Sequence, residues 1–174
     1  KPDSTAAQLI EKYNHIEKAD IGETPEYALV GRAMMVRDFG KAAFIQVDDG
    51  NTRFQFYVKK SITSEEGFAD YKLCDHGDMV YAKGTVFKTN KGELSLQATD
   101  FKVVTKSLRP LPEKFHGVTD QETIYRQRYL DLIMNDDSFE RFKFRSDFVK
   151  TIREFYWKHD FMEIETPILG NSAS

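Results

Sequence analysis

Apolar residues recur at helical spacing near the amino end of the chain and at alternate positions through its central part. Over residues 4–20 this spacing predicts an amphipathic helix with Ser4 as its N-cap. The apolar positions are Leu9, Ile10, Tyr13 and Ile16. Residues 21–25 contain a glycine and a proline and break the period. Residues 1–26 are therefore predicted to form an amino-terminal helix and the lead-in to the next domain.

Residues 27–105 alternate between apolar and polar side chains, and this period of two predicts short strands joined by turns. One predicted hairpin joins 42–48 to 52–58, and another joins 79–89 to 93–106. A short helix over 64–73, capped by Thr63 or Ser64, separates the third strand from the fourth. This is the element order of a five-stranded OB-fold, a small β-barrel that binds oligonucleotides. We therefore predict a mainly β fold, with the barrel over residues 27–106.

The composition changes after the barrel to a proline-containing segment over residues 107–118, which we interpret as an extended linker. Residues 119–134 are predicted to be helical. A second helix is predicted from Ser138, with Asp137 and Glu140 spaced as a cap. Its apolar face consists of Phe148, Val149, Ile152, Phe155 and Tyr156. Residues 119–174 are thus predicted to begin a further unit of different architecture.

In the second and third strands each side chain points either into the barrel or away from it. The apolar set Ala43, Ile45, Val47, Phe54, Phe56 and Val58 is assigned to the inside. The outward set is Phe44, Gln46, Arg53, Gln55 and Tyr57. The fifth strand adds Glu93, Ser95 and Gln97 to the outer face, and Arg37 ends the first strand.

This outward set combines aromatic, amide, guanidinium and carboxylate groups. Unpaired RNA bases stack on aromatic planes, while their Watson–Crick edges seek hydrogen-bond partners. Uracil has two carbonyl acceptors flanking one N–H donor, so Arg and Gln side chains suit the carbonyls and a carboxylate such as Glu93 suits the N–H. The pattern therefore indicates a surface for single-stranded RNA. The alternative from the pattern alone is a set of solvated strand residues that bind nothing.

Composition narrows the classes of function. A formal net charge of -3 argues against nucleic-acid binding by charge alone, and no DNA partner is expected. No window approaches the roughly 18 consecutive apolar residues of a membrane span, and no secretory pattern opens the chain, so we expect a cytoplasmic protein without a membrane partner. Cys74 is the only cysteine, which excludes an intrachain disulfide and a cysteine zinc cluster. The four histidines are scattered, so no metal site is expected.

The segment after the barrel carries the most specific sequence signal. Residues 105–117, Thr-Lys-Ser-Leu-Arg-Pro-Leu-Pro-Glu-Lys-Phe-His-Gly, and residues 125–133, Tyr-Arg-Gln-Arg-Tyr-Leu-Asp-Leu-Ile, closely resemble the domain junction of class II lysyl-tRNA synthetases. The related aspartyl enzymes share a Tyr-Arg-Tyr-Leu-Asp-Leu run but lack the first stretch. The resemblance extends from about Gly31 to Leu169.

The resemblance implies roles for individual residues. Phe44 matches the aromatic residue that stacks on the anticodon, and Arg37, Gln55 and Glu93 match residues that read anticodon uracils. Residues 161–169 resemble motif 1, which would place Phe161 and Pro167 at a dimer interface. The pair His159-Asp160 departs from the usual basic residue and glycine, but an aspartate can also adopt the left-handed conformation that the helix end requires.

The resemblance also implies what the whole enzyme does. Such enzymes join lysine to tRNA(Lys) with ATP and Mg²⁺, and the full-length form is a homodimer with an α+β catalytic domain. Motifs 2 and 3 would lie beyond Ser174, so this chain is expected to bind the anticodon loop without catalysing the reaction, and no catalytic residue or cofactor is assigned to it. Two alternatives are a sequence-tolerant single-strand-binding OB module and an adaptor surface for protein partners.

Overall fold

The computed structural model describes residues 1–50, 52–109, 111–112 and 117–168. Parts of the predicted linker, namely Pro110 and residues 113–116, and the end of the motif 1 match from Leu169 onward lie outside the described residues. The chain divides into two compact units, Lys1–Leu111 and Pro112–Ser174. The elements of the first are α1 (Ala6–Tyr13), β1 (Glu26–Asp38), β2 (Ala42–Asp48), β3 (Arg53–Lys59), α2 (Glu65–Lys72), β4 (Met79–Lys88) and β5 (Leu94–Thr105). Those of the second are α3 (Gln121–Arg126), α4 (Arg128–Met134) and α5 (Asp136–Lys158).

The five strands form a closed barrel in the order β1-β2-β3-β5-β4. All neighbouring pairs are antiparallel except β3 and β5, which pair in parallel. The inward residues predicted for β2 and β3 are all buried, and they pack with Val80, Ala82, Leu96 and Phe101 in one core. This confirms the predicted mainly β, OB-type fold with its amino-terminal helix and following helices.

Helix α1 is shorter than predicted, and its cap is a different residue. It ends at Tyr13 instead of continuing toward residue 20. The Thr5 hydroxyl accepts a hydrogen bond from the Gln8 backbone N–H, while the Gln8 side chain accepts one from the Thr5 N–H, so Thr5 forms a capping box. The predicted cap Ser4 is wrong, because its hydroxyl donates to Asp3 instead.

Contacts at both ends fasten α1 to the barrel. The Ala6 backbone N–H donates to the Asp49 carboxylate at 2.9 Å, and Lys88 Nζ donates to the Asn14 carbonyl oxygen at 2.9 Å. Between these ends, Leu9 and Tyr13 are buried in the barrel core. The helix therefore holds a fixed position against the strands.

Local irregularities close the barrel. The β1–β2 register shifts between Ala33 and Met35, and the β4–β5 register shifts between Lys83 and Gly84. A Cβ on Gly84 would lie only 1.8 Å from the Gln97 carbonyl oxygen, so a residue without a side chain is required there.

Helix α2 begins after Ser64, whose hydroxyl accepts from the Gly67 N–H, which confirms this predicted cap.

The second unit departs from its predicted helix boundaries. The helix predicted over 119–134 is two helices, because Gln127 has a non-helical backbone with φ -122° and ψ 57°. Helix α5 begins at Asp136, before the predicted Ser138, and the predicted Asp137–Glu140 cap is wrong. Its N-cap residue is Asn135, whose side chain donates instead to Asp131 at 2.7 Å and to the Val118 carbonyl oxygen at 2.9 Å.

Helix α5 presents its predicted apolar face to solvent in this chain. Phe148 is 55% exposed, and Val149, Ile152, Phe155 and Tyr156 are also at least partly open. After the helix, Asp160 has φ 63°, the left-handed conformation that we expected an aspartate to supply. Phe161 then packs edge-on against Tyr156, at 5.3 Å between ring centroids.

Candidate nucleic-acid interface

Strand register decides which side chains share the outer face of the barrel. Directly opposite residues in neighbouring strands project to the same face. One row across the sheet is formed by Arg37, Phe44, Tyr57 and Gln97. The next row is formed by Met35, Gln46, Gln55 and Ser95. Three of the predicted site residues, Arg37, Phe44 and Gln55, therefore occupy one face in adjacent rows.

Phe44 lies in a chain of aromatic contacts. Its ring stacks on Tyr57, with centroids 4.7 Å apart and an interplanar angle of 29°. Phe39 meets it edge-on at 6.2 Å, and Tyr57 continues to Phe87 at 5.6 Å. Phe44 is half-buried, so Tyr57 supports one part of the ring while another part remains open. This is a preorganised stacking surface, because the neighbouring rings restrict its rotation.

Gln55 lies on the predicted face but is more buried than the alternation suggested. Its side chain is held by a 2.8 Å hydrogen bond from Nε2 to Ser95 Oγ, and the residue is only 6% exposed. Ser95 is itself buried, and its hydroxyl donates to the Glu93 carbonyl oxygen at 3.3 Å. The amide of Gln55 is therefore fixed in orientation, which suits a group that distinguishes donors from acceptors on a ligand.

A cavity of about 230 Å³ brings Gln55 and Glu93 together. Its walls come from strands β2 and β3, from the β4–β5 turn with the first residue of β5, and from helix α1 with its C-cap residue. The lining residues are Ile10, Asn14, Gln46, Arg53, Phe54, Gln55, Gly92, Glu93 and Leu94. Because Gln46 is two residues from Phe44 on β2, the cavity adjoins the aromatic row. The predicted stacking residue Phe44 and the three predicted reading residues Arg37, Gln55 and Glu93 thus lie in two neighbouring parts of one surface.

The turn between β1 and β2 is fixed by a surface ion pair. The Asp38 carboxylate accepts from Lys72 Nζ at 2.9 Å and from the Gly40 N–H at 2.6 Å. These bonds, the one from Lys72 first, lower the pKa of Asp38 to about 2. Asp38 follows Arg37 and precedes Phe39, which is 68% exposed. The contact with α2 therefore orders the segment that carries both residues.

Sequence reasoning missed several parts of this surface. Met35 reaches the outer face because the strand bulges after Ala33, and Arg37 Nε lies 3.2 Å from its sulfur. Lys72 and the α1 residues Ile10 and Asn14 come from elements outside the sheet. No local sequence pattern signals these long-range contacts.

The predicted motif 1 residues lie in the second unit. Phe161 is 62% exposed and Pro167 is also exposed. Their proposed part in a dimer interface stays a prediction. Within the described ranges, no group of three or more His, Cys, Asp or Glu side chains could hold a metal ion, and no helix is long and apolar enough to cross a membrane.

Comparisons with known proteins match the barrel and the segment after it to two different families. Residues 27–104 match the family model of the OB-fold nucleic acid binding domain, and residues 120–174 match that of class II tRNA synthetases (D, K and N). The chain is 46% identical over 171 residues to lysine–tRNA ligase of Streptococcus sanguinis, covering 98% of this chain and 34% of that protein. It is 44% identical to the Dichelobacter nodosus enzyme, covering 97% and 34%, and 46% identical to that of Laribacter hongkongensis, covering 94% and 33%. The chain thus spans about a third of the length of these relatives, and it belongs to the class II lysyl-tRNA synthetase family, with an OB-fold nucleic acid binding domain followed by the start of the class II synthetase domain.

Proposed function

We propose that the outer face of the barrel binds the anticodon loop of tRNA(Lys). The observation that carries this proposal is the cavity in which Gln55 and Glu93 meet, adjoining the aromatic row of Phe44. Phe44 stacks one base of the loop. The fixed amide of Gln55 and the carboxylate of Glu93 meet the edge of a uracil, and Arg37 reaches a carbonyl oxygen or the neighbouring phosphate.

The charge of the chain supports a mechanism based on local fit. With a formal net charge of -3, general attraction to the RNA backbone is weak. Stacking contributes about 1–3 kcal/mol per base by alanine substitution, and it does not require a positively charged protein surface. Affinity on this face therefore comes from the aromatic row, and selection comes from the polar groups beside it.

The central experiment removes the stacking ring. Phe44→Ala should weaken binding of a lysine anticodon stem-loop by about 1–3 kcal/mol, which is roughly 5- to 150-fold, in a fluorescence titration. Phe148→Ala is the matched control, because it removes an exposed aromatic ring from α5 in the other unit. An affinity unchanged by Phe44→Ala would exclude this face as the binding site.

A second candidate is a single-strand-binding module that tolerates any sequence. The aromatic row favours it, since every base has a face that can stack. Titration with poly-U, poly-C and the lysine anticodon stem-loop at matched salt separates the two. Anticodon recognition requires the stem-loop and poly-U to bind better than poly-C, whereas equal affinities would favour the tolerant module.

For the full-length protein we propose the activity of its relatives' printed name, the ligation of lysine to tRNA. That enzyme would use ATP and Mg²⁺ in the cytoplasm and would dimerise through motif 1, including Phe161 and Pro167. We assign neither ATP nor Mg²⁺ to residues of this chain, because the groups expected to hold them belong to motifs 2 and 3. The chain alone should give no lysine-dependent pyrophosphate exchange, and exchange above background would refute this assignment.

A further inference from the structure

Helix α1 forms one wall of the cavity on the outer face although it is no part of the barrel. Ile10 of α1 and Asn14, the C-cap residue of that helix, line the cavity together with Gln46, Arg53 and Gln55 of the strands. Glu93 closes it from the β4–β5 turn. Helix α1 and its C-cap therefore add a wall beside Gln55 and Glu93 that the strands alone do not supply.

Asn14 is held in place by its backbone and not by its side chain. Its N–H donates to the Ile10 carbonyl oxygen at 2.8 Å, and its own carbonyl oxygen accepts from Lys88 Nζ at 2.9 Å. The preceding residue, Tyr13, is buried and bonded through its hydroxyl to the Tyr27 hydroxyl at 2.6 Å. The Asn14 backbone is therefore anchored, and replacement of its side chain leaves these contacts intact.

The Asn14 side-chain amide has, within the described part of the chain, no protein partner, and the residue is exposed. An amide offers both a donor and an acceptor, which is the combination that a base edge requires. Nothing in α1 uses this group: the capping box lies at the other end of the helix, and the C-cap bond is made by the backbone. The Asn14 amide thus belongs to a residue that lines the cavity, and it is available to a ligand.

The dimensions of the cavity limit what can enter. Its volume of about 230 Å³ is below the roughly 300–1,000 Å³ of sites that take drug-sized ligands. A single nucleobase, whose edge faces Gln55 and Glu93, fits this size and this mixture of donors and acceptors. A neighbouring nucleotide would remain outside, at the aromatic row.

We propose that Asn14 is a further base-contacting residue, whose amide hydrogen-bonds the edge of the one anticodon base that enters the cavity. This inference rests on the proposed function and extends the recognition surface from the barrel to the amino-terminal helix. The ligand is an unpaired base, a uracil in the lysine anticodon. Arg53 and Gln46 line the same cavity.

The test combines Asn14→Ala with removal of single bases from the RNA. Three stem-loops are prepared, each with one anticodon nucleotide replaced by an abasic residue, and each is titrated against the wild-type chain and the variant. Asn14→Ala should weaken binding of the intact stem-loop about 3- to 10-fold, the range expected for loss of one hydrogen bond. At one abasic position this loss should disappear, because the base that Asn14 contacts is already missing; at the other two it should persist.

His15→Ala is the matched control, since His15 is the next residue of the chain, is exposed and does not line the cavity. It should bind all the stem-loops as the wild type does. Asn14→Asp keeps the shape of the side chain, loses the donor and adds a carboxylate in the cavity that holds Glu93, so it should bind more weakly than Asn14→Ala. Thermal unfolding of each variant verifies the fold, and Asn14→Asp serves as the test if Asn14→Ala is destabilised.

The outcomes separate this inference from the proposed function. If Asn14→Ala and Asn14→Asp bind as the wild type while Phe44→Ala is weakened, the contact to Asn14 is refuted and anticodon binding stands. A loss that is equal for all three abasic stem-loops would also refute it, because no single base would be coupled to the amide. If Phe44→Ala also binds normally, the proposed function itself fails.

Discussion

The two units of this chain treat their apolar residues in opposite ways. In the barrel, Ile45, Phe56 and Leu96 are completely buried. In the second unit, only Val118 and Asp131 are buried among the described residues, and the rings along α5 are open to solvent. The barrel therefore completes its own core, whereas the helical unit exposes a face of the kind that proteins bury.

This difference bears on function. A closed barrel with its own core can hold the stacking row and the polar cavity rigidly, which recognition requires. The helices after the barrel expose an apolar face. The relatives are about three times as long as this chain, so they have much more chain with which to cover that face. The proposed binding surface thus lies on the unit that completes its own core.

The largest expected effect comes from removing an aromatic ring from the core of the barrel. Phe56→Ala empties a fully buried position and should lower the free energy of unfolding by about 3–5 kcal/mol. Phe148→Ala removes the same atoms from a residue that is 55% exposed. It should change the free energy of unfolding by less than about 0.5 kcal/mol. Urea denaturation followed by far-ultraviolet circular dichroism measures both.

The contrast between the two units would be wrong if Phe148→Ala lowered the free energy of unfolding as much as Phe56→Ala does. Such a result would mean that the face of α5 is covered in solution, by a second copy of the chain. Repeating the denaturation at several protein concentrations would reveal this, because stability that arises from association depends on concentration.

A smaller loss of stability is expected when a buried aspartate is replaced. Asp78 is buried in the first unit and Asp131 in the second. Burial raises the pKa of Asp78, but hydrogen bonds from the Asp75 and Ser107 N–H groups and from Lys106 outweigh it and lower the pKa overall. Asp78→Ala leaves those backbone donors without their acceptor and should cost about 1–3 kcal/mol. Amide hydrogen exchange should accelerate throughout the barrel.

Asp131→Ala is the counterpart in the second unit. It removes the acceptor of Arg128, Asn135 and Ser138, which joins α4 to the start of α5. Exchange should accelerate in α4 and α5 while the barrel stays protected. If the barrel amides also lost protection, the two units would unfold as one cooperative unit.

The same contrast explains how much could be predicted from sequence. In the barrel, alternation gave β2 with its observed bounds and placed Phe44 and Gln55 on the outer face, because a side chain in a closed sheet has only two directions. The prediction of Ser64 as a cap succeeded because its partner, Gly67, is only three residues away. The resemblance of residues 105–133 to a known domain junction supplied the family, which the alternation alone did not.

The errors arise where distant residues decide local structure. Asn135 gives its side chain to Asp131 and Val118 and so makes no cap bond to α5. The burial of Gln55 depends on Ser95, from a strand forty positions away in the chain. The cavity itself needs α1, and no periodicity shows where that helix packs.

The smallest predicted effect concerns an exposed ion pair of the barrel, Asp38 with Lys72. The pKa of Asp38 is about 2 in the fold, against about 3.9 for an unperturbed aspartate. Because the folded value is the lower one, the stabilisation is complete above about pH 5 and is lost as the pH falls through 4 toward 2. Asp38→Asn should therefore have a slightly lower melting temperature than the wild type near pH 6, and the difference should vanish near pH 2.

Glu154→Gln removes an exposed carboxylate of α5 that lies 3.7 Å from Lys150 and serves as the control for a surface charge outside the barrel. Calorimetric scans at pH 6, 4 and 2 measure the melting temperatures. If the difference in melting temperature between Asp38→Asn and the wild type grew toward low pH, the ion pair of Asp38 and Lys72 would not be what stabilises the segment of Arg37 and Phe39.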